Sequence, residues 1–430
     1  KDILKTLSHL NRGKAPGIHC DSLDIYVNAA RSLSLDVPSH FTRAKALAGF
    51  FTRVINGDVP ERFKHFLRQT YLVALEKDPN DKTKLRPLGV PSAIRRIAGI
   101  LVLHEYSAVF AEHLLPFNFA IGIGGGIDVI IKSIQLAVDK YIIEPEENGD
   151  LPSRALVSLD IKNMFNAVSR ERLREIISEL FPTLEPFADL IYESAGETFV
   201  RFEDSKWVII PVTEGFSQGC PMSPVFAAIV LYDILSKIQP ELETRAAQRK
   251  AYGDPGDDGL GTLGFVLAYV DDCNSMLCHD DVDFFLKRFV ELATPLGAIL
   301  NTEKTRIMTT TTGQSLVRRM KDNTNMRTMM KGTTLESTIA KYSTKKTNGN
   351  IEPVEVTDGL RVLGAPIGSF QFCQEFIMNA LSGAQNDANK LLTNLEDIQT
   401  ILRLYSTCTA HKVTHLFSHD VLNANLEELP

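Results

Sequence analysis

Apolar positions recur at helical spacing over residues 38–56 and 61–67, over RERLREIISEL from Arg170, and over FFLKRFVELATPLG from Phe284. In RERLREIISEL, Leu173, Ile176, Ile177 and Leu180 share one face, and Ser169 stands where a helix N-cap is expected. Strand-like runs rich in β-branched and aromatic residues are TYLVALEK from Thr70, ALVSLDI from Ala155, WVIIPVTEG from Trp207 and Phe265 to Val270. After SQGCPMS, a loop by its Gly and Pro content, Ser223 is the expected cap of a helix opening at Pro224 and continuing through VFAAIVLYDIL. Ser275 to Cys278 gives a short return strand after Phe265 to Val270, with Val-Asp-Asp-Cys from Val270 as the tight turn between them.

That turn holds two adjacent carboxylates, Asp271 and Asp272, between apolar runs. At an effective dielectric of about 20, unit charges about 4 Å apart repel by roughly 4 kcal/mol, so a rigid turn keeping both ionised is best stabilised by a divalent cation. Asp is also an ordinary turn residue, and the chain supplies two comparisons in Asp257-Asp258 and Asp280-Asp281. Neither lies between two strand-like runs, and the GDD at Gly256 sits in a Gly/Pro-punctuated stretch with no apolar run before it. A third carboxylate, Asp160, ends the run ALVSLDI. Metal-assisted phosphoryl transfer uses about three acidic ligands, so Asp160, Asp271 and Asp272 are the candidate metal set.

The length of 430 residues accommodates two or three subdomains, and 44% apolar with 23% charged residues is an ordinary globular composition. The longest apolar stretches, 97–103 and 226–235, are too short to span a bilayer, so no membrane association is expected. Six cysteines form no CxxC pair, which points to reduced thiols in an intracellular protein of nucleus or cytoplasm. A net charge of −7 argues mildly against a nucleic-acid partner, but ten Lys/Arg against two acids between Lys304 and Lys346 make a plausible phosphate track that includes Arg318, Arg319 and Lys321. In KLRPLGVPSAIRR, Pro87 and Pro91 are expected to break regularity, leaving Arg86, Arg95 and Arg96 near one turn as phosphate donors. GIGGGID from Gly122 does not follow a strand as a dinucleotide fingerprint must, and reads as a flexible loop. The chain opens on Lys1 rather than Met, which reads as a fragment of a longer product.

Four strings in order, LDIKNMFNAVSR from Leu159, EGFSQGCPMSP from Glu214, AYVDD from Ala268 and LGAILNTEK from Leu296, resemble the palm of a reverse transcriptase. GKAPG from Gly13 and RPLGVPS from Arg86 resemble fingers segments of non-LTR (LINE-type) retrotransposon enzymes, the second also those of group II introns. Two features differ from that type, namely Val270 where Ala is commoner and the acidic overall charge. The resemblance implies an α+β right-hand polymerase with a ferredoxin-like palm and mostly helical fingers and thumb. Fingers would occupy 1–150, palm 151–358, and a primer-grip hairpin with helical thumb 359–430.

The same resemblance implies a reaction: RNA-directed DNA synthesis from a nucleic-acid primer with deoxynucleoside triphosphates, on two Mg²⁺ ions with Mn²⁺ as an alternative. Asp160 and Asp271 would hold the metals, Asp272 more weakly, and Lys304 would assist the leaving pyrophosphate. Arg86 and Arg96, with Lys84 as a further candidate, would contact nucleotide phosphates, and Gln218 and Gly219 would line the pocket. Phe165 would exclude a ribose 2′-hydroxyl. LRVLGAPIGS from Leu360, with Gly364 at its turn, would be the primer grip. Two other readings follow from the same residues: a decayed copy that only binds nucleic acid, and RNA-templated RNA synthesis, against which Phe165 counts.

Overall fold

The computed structural model describes residues 2–13, 17, 22–33, 37–76, 81, 85–147, 153–202, 206–251, 265–302, 304–310, 355–357 and 359–410. In chain order the elements are α1 (Asp2–His9), α2 (Leu23–Arg31), α3 (Pro38–Ile55), α4 (Glu61–Arg68), β1 (Gln69–Glu76), β2 (Leu85–Pro91) and α5 (Ala93–Leu114). There follow α6 (Gly126–Val138), α7 (Glu144–Glu147), β3 (Ala155–Leu159), β4 (Ile161–Lys162), α8 (Met164–Ala167), α9 (Arg170–Leu180), α10 (Glu185–Tyr192), β5 (Gly196–Arg201) and β6 (Trp207–Val212). The remainder comprises α11 (Ser223–Ala251), β7 (Val266–Tyr269), β8 (Asp272–Leu277), α12 (His279–Ala293), β9 (Ile299–Leu300), β10 (Arg306–Met308), β11 (Glu355–Thr357), β12 (Gly359–Val362) and β13 (Ala365–Gly368), then α13 (Phe370–Asn394) and α14 (Ile398–Leu404). Two compact units form, one from residues 1–115, 162–234 and 291–299, the other from 116–161, 235–290 and 300–430.

In the first unit a sheet of order β2-β1-β5-β6 is antiparallel except for the β1–β5 pair. Of the run KLRPLGVPSAIRR, expected to be irregular, residues 85–91 are the edge strand β2, with Pro87 opposite Ala74 and Pro91 opposite Thr70, and Arg95 and Arg96 lie in α5. An edge strand tolerates proline because the missing N–H can lie on the side that has no partner. Ser169 caps its helix where the sequence places it, Oγ accepting from Arg172 N, and Ser92 Oγ likewise accepts from Arg95 N at the start of α5. At α11 the helix instead begins on Ser223 itself, whose hydroxyl donates to the Ser217 carbonyl at 2.7 Å, so this serine ties down the preceding loop rather than capping the helix.

In the second unit the sheet order is β11-β10-β3-β8-β7. From β10 to β7 every neighbour is antiparallel. Strand, helical crossover, hairpin, helix, strand in that spatial order is the split βαβ arrangement of ferredoxin-like sheets, as the sequence order implied. One face of it packs on Ile130, Ile131 and Ile134 of α6 and on Leu360, Val362, Ala365 and Ile367 of the β12–β13 hairpin, all buried. Leu363 and Gly364 turn that hairpin with φ of 48° and 99°, the two left-handed positions a type I′ turn requires. The glycine run at 122–126, expected as a flexible loop, leads into α6, and a Cβ on Gly126 would lie 2.0 Å from the Phe119 carbonyl oxygen. Close backbone approach is therefore the use of that glycine.

Candidate active site

Register decides which side chains meet at the end of the second sheet. Leu159 of β3 pairs with Cys273 of β8, so the next residue, Asp160, comes level with Asp272 as β3 ends. Tyr269 pairs with Asp272, which leaves Val270 and Asp271 as a two-residue turn. The return strand thus begins at Asp272, three residues earlier than its apolar content indicated, because the ladder continues through Cys273 and Asn274. Asp160, Asp271 and Asp272 are in this way gathered by one sheet end.

Val270 carries φ of 59°, at the turn position where a type II′ hairpin takes glycine. A β-branched residue in the left-handed region costs of order 1–3 kcal/mol and persists only where its surroundings enforce it. Those surroundings include Asn118, 1% exposed, whose Nδ2 donates to the Val270 carbonyl at 3.1 Å and whose Oδ1 accepts from Val270 N at 3.4 Å. Backbone bonds fasten the same segment to β7: Ala268 N donates to the Phe117 carbonyl at 2.7 Å, and Phe119 N to the Ala268 carbonyl at 3.0 Å.

Asp160 is held by the segment leading into β10. Its carbonyl accepts from Asn301 N at 2.8 Å, its Oδ2 from Asn301 Nδ2 at 2.7 Å, and its own N–H donates to Thr305 Oγ1 at 3.3 Å. Lys304 Nζ lies 3.8 Å from the same Oδ2, in an ion pair open to water. Asp272 is pushed up to about 6, first by the protein crowded around it and then by the negative charges of Asp271 and Asp160, although the residue itself is exposed. Oxygen donors of this number suit a hard cation such as Mg²⁺, and the mutual repulsion is what such an ion would remove. Among the described residues no three His, Cys, Asp or Glu side chains converge on one point, so the fit lies in donor chemistry and register, not in a closed cage.

The expected nucleotide contacts belong to the first unit. Phe165 sits in the single turn of α8, its carbonyl accepts from Phe216 N at 2.5 Å, and its half-buried ring meets that of Phe216 edge-on at 6.4 Å. Gly219 N donates to the Gly89 carbonyl of β2 at 3.1 Å, and a Cβ there would lie 2.5 Å from that oxygen, so only glycine fits. Gln218, half-buried, precedes it in the same loop. Arg86 is exposed on β2, and Arg96 is half-buried in the first turn of α5. Arg95 turns inward, 3% exposed, with its guanidinium 5.9 Å from the Tyr192 ring centre. Lys84, Arg318, Arg319, Lys321 and the GDD at 256–258 lie outside the described residues.

Sequence reasoning missed Asn118, Thr305 and Arg170. Arg170, 7% exposed, donates from Nε to the Gly215 carbonyl at 2.8 Å and from Nη1 to the Val212 carbonyl at 2.6 Å, fastening the chain that leads into the Gln218 loop. Burial pulls its guanidinium down to about 10, still charged at neutral pH. The one available signal was for Asn118, a polar residue between two phenylalanines.

A scan against protein-family models matches "Reverse transcriptase (RNA-dependent DNA polymerase)" over residues 77–367, about two thirds of the chain. A search of curated proteins finds no match. Similar solved structures include apo telomerase from Candida tropicalis, 13% identical, covering 59% of this chain and 46% of that one with a TM-score of 0.41. Another is telomerase from Candida albicans in complex with a TWJ fragment of telomeric RNA, 10% identical, covering 84% of this chain and 57% of that one, again at 0.41. The chain spans about half the length of those proteins, and likeness at these scores carries no argument about its activity.

Proposed function

The chain belongs to the reverse transcriptase (RNA-dependent DNA polymerase) family, and from that premise we propose that it extends a nucleic-acid primer with deoxynucleotides on an RNA template, as the polymerase of a non-LTR retrotransposon. The observation that carries the reading is the β3–β8 register, which sets Asp160 level with Asp272 and one residue from Asp271. Asp160 and Asp271 are the residues that would hold Mg²⁺, with Asp272 a weaker ligand. Two such ions would offset charge on the attacking and leaving oxygens of an in-line displacement.

The primer 3′-oxygen forms a bond to the α-phosphorus and the bond to pyrophosphate breaks. Lys304, exposed beside Asp160, supplies positive charge or a proton to that leaving group. Arg86 and Arg96 offer guanidinium forks to the triphosphate. Phe165 fills the space a 2′-hydroxyl would need, and the Gln218-Gly219 backbone lines the base side. The β12–β13 turn at Gly364 is the primer grip, and Arg318, Arg319 and Lys321 form part of a phosphate track along the template or primer. Fingers at 1–150, palm at 151–358 and thumb at 359–430 complete the assignment, for a protein acting in nucleus or cytoplasm. Among the described residues no helix is long and apolar enough to cross a membrane.

Primer extension on poly(rA) with oligo(dT) tests this reading. The wild type is expected to incorporate dTTP with Mg²⁺ and to reject UTP, and Phe165→Ala to admit UTP. Folded protein that binds the duplex and incorporates neither nucleotide would indicate a binding scaffold. Unchanged sugar selectivity in Phe165→Ala would remove the gate assignment.

A further inference from the structure

Val270 occupies a conformation that its own side chain opposes, and Asn118 addresses both polar groups of its backbone. Asn118 is also locked in itself: its Oδ1 accepts from Ala120 N at 3.1 Å, and its backbone forms a bridge with Ala268 of β7. Gly126 then presses on the carbonyl of the following residue, Phe119, where no side chain could fit. A rigid, buried carboxamide therefore faces the one residue of the turn that most needs restraint.

We propose that Asn118 is a positioning residue for the catalytic turn. Its carboxamide accepts from Val270 N–H and donates to Val270 C=O, which keeps the valine left-handed and so fixes the direction in which Asp271 and Asp272 leave the turn. The role in catalysis rests on the function proposed above, but the clamp itself does not. Leucine is close to asparagine in shape and forms neither bond, while glycine at 270 adopts a positive φ without strain. The two substitutions therefore act on one quantity and couple.

The test is a double-mutant cycle of Asn118→Leu and Val270→Gly, read by hydrogen exchange at the 270 amide without metal, by Mn²⁺ affinity without nucleic acid, and by primer extension. Asn118→Leu is expected to speed exchange at residue 270 by at least about tenfold and to lower the extension rate by about ten- to hundredfold at saturating dTTP, with KM little changed. Against Val270→Gly alone, adding Asn118→Leu is expected to cost less than about threefold in Mn²⁺ affinity and in extension rate, because glycine has removed the strain the clamp opposes. If Asn118→Leu alone does not fold, the double variant is expected to fold, and a double variant equally unfolded overturns the proposal. Wild-type exchange and Mn²⁺ affinity in a folded Asn118→Leu protein, or equal losses of Mn²⁺ affinity and extension rate in the two backgrounds, overturn it as well. A wild type that extends no primer removes the proposed function, while exchange and Mn²⁺ affinity still decide the clamp.

Discussion

Asp271-Asp272 and Asp280-Asp281 are the same dipeptide nine residues apart, and the fold treats them oppositely. Asp281 opens α12 as a buried carboxylate, 3% exposed, whose Oδ1 accepts from Arg245 Nε at 2.7 Å and Arg249 Nη1 at 2.8 Å, and whose Oδ2 accepts from Arg249 Nη2 at 2.5 Å. Both arginines come from α11, so the cations are built into the chain. At the β7–β8 turn the surrounding protein first, and then the neighbouring carboxylates Asp271 and Asp160, raise the pKa of Asp272 to about 6. A carboxylate neutralised by permanent internal cations serves the structure. The sheet-end carboxylates, with Lys304 beside Asp160, are the ones proposed above to take a cation from solution.

The contrast breaks most visibly under a single substitution at the turn. Asp271→Asn is expected to lower dTTP incorporation on poly(rA)/oligo(dT) by at least about a hundredfold with melting nearly unchanged, the scale set by several kcal/mol of metal-borne charge stabilisation. Equal extension by mutant and wild type would show that the turn is not the metal site.

At the other pair the expected loss is stability. Asp281→Ala leaves two guanidiniums without their acceptor, and urea melts should show a loss of about 2–3 kcal/mol, below the 3–5 kcal/mol of a fully buried pair because Arg245 remains partly open to water. Incorporation per folded molecule is expected to stay within about twofold. A stable Asp281→Ala protein would mean that the arginines find water as readily as they found the carboxylate.

Opposite pH slopes give the smallest effect. Asp272 has a folded pKa raised from 3.8 to about 6, so its protonated form favours folding: that contribution is complete below 3.8 and is lost as pH rises through 6. Solvent screening at this exposed group limits it to about 1 kcal/mol or less. His279, next to the second pair, is held below 6.5 by burial, with Asp280 opposing, and its neutral ring is bonded to Thr309 Oγ1 at 2.7 Å. Its contribution is present above 6.5 and is lost as pH falls through the lowered value. Metal-free melts between pH 4 and 7 check both slopes. Asp272→Asn should flatten the first and His279→Asn the second, and slopes untouched by either would assign the pH dependence elsewhere.

Much of this site was legible in order and type. The apolar run ending at Asp160, the Ser169 cap and the strand-like run before Asp271 carry local signals, and the fold uses each as its pattern predicts; the return strand forms too, but from Asp272. What escaped depends on partners distant in sequence. Proline marked residues 85–91 as irregular because nothing local says that β2 has a partner on one side only. Ser223 resembles a cap until the Ser217 carbonyl is seen within reach. Arg95 reads as a phosphate donor near a turn, but it packs against Tyr192, almost a hundred residues away in the chain. Asn118 lies more than a hundred and fifty residues before the turn it grips. Period and capping speak for a residue's own element, whereas positioning residues act across elements that only the register brings together.

Asp271 is expected to belong to a cation site and Asp281 to an internal ion pair. The most direct measurement is Mn²⁺ binding, followed by electron paramagnetic resonance, in the wild type, Asp271→Asn and Asp281→Asn, each shown to be folded. Asp281→Asn is expected to bind as the wild type does and Asp271→Asn to lose at least about tenfold in affinity. Equal affinity in all three proteins would contradict it.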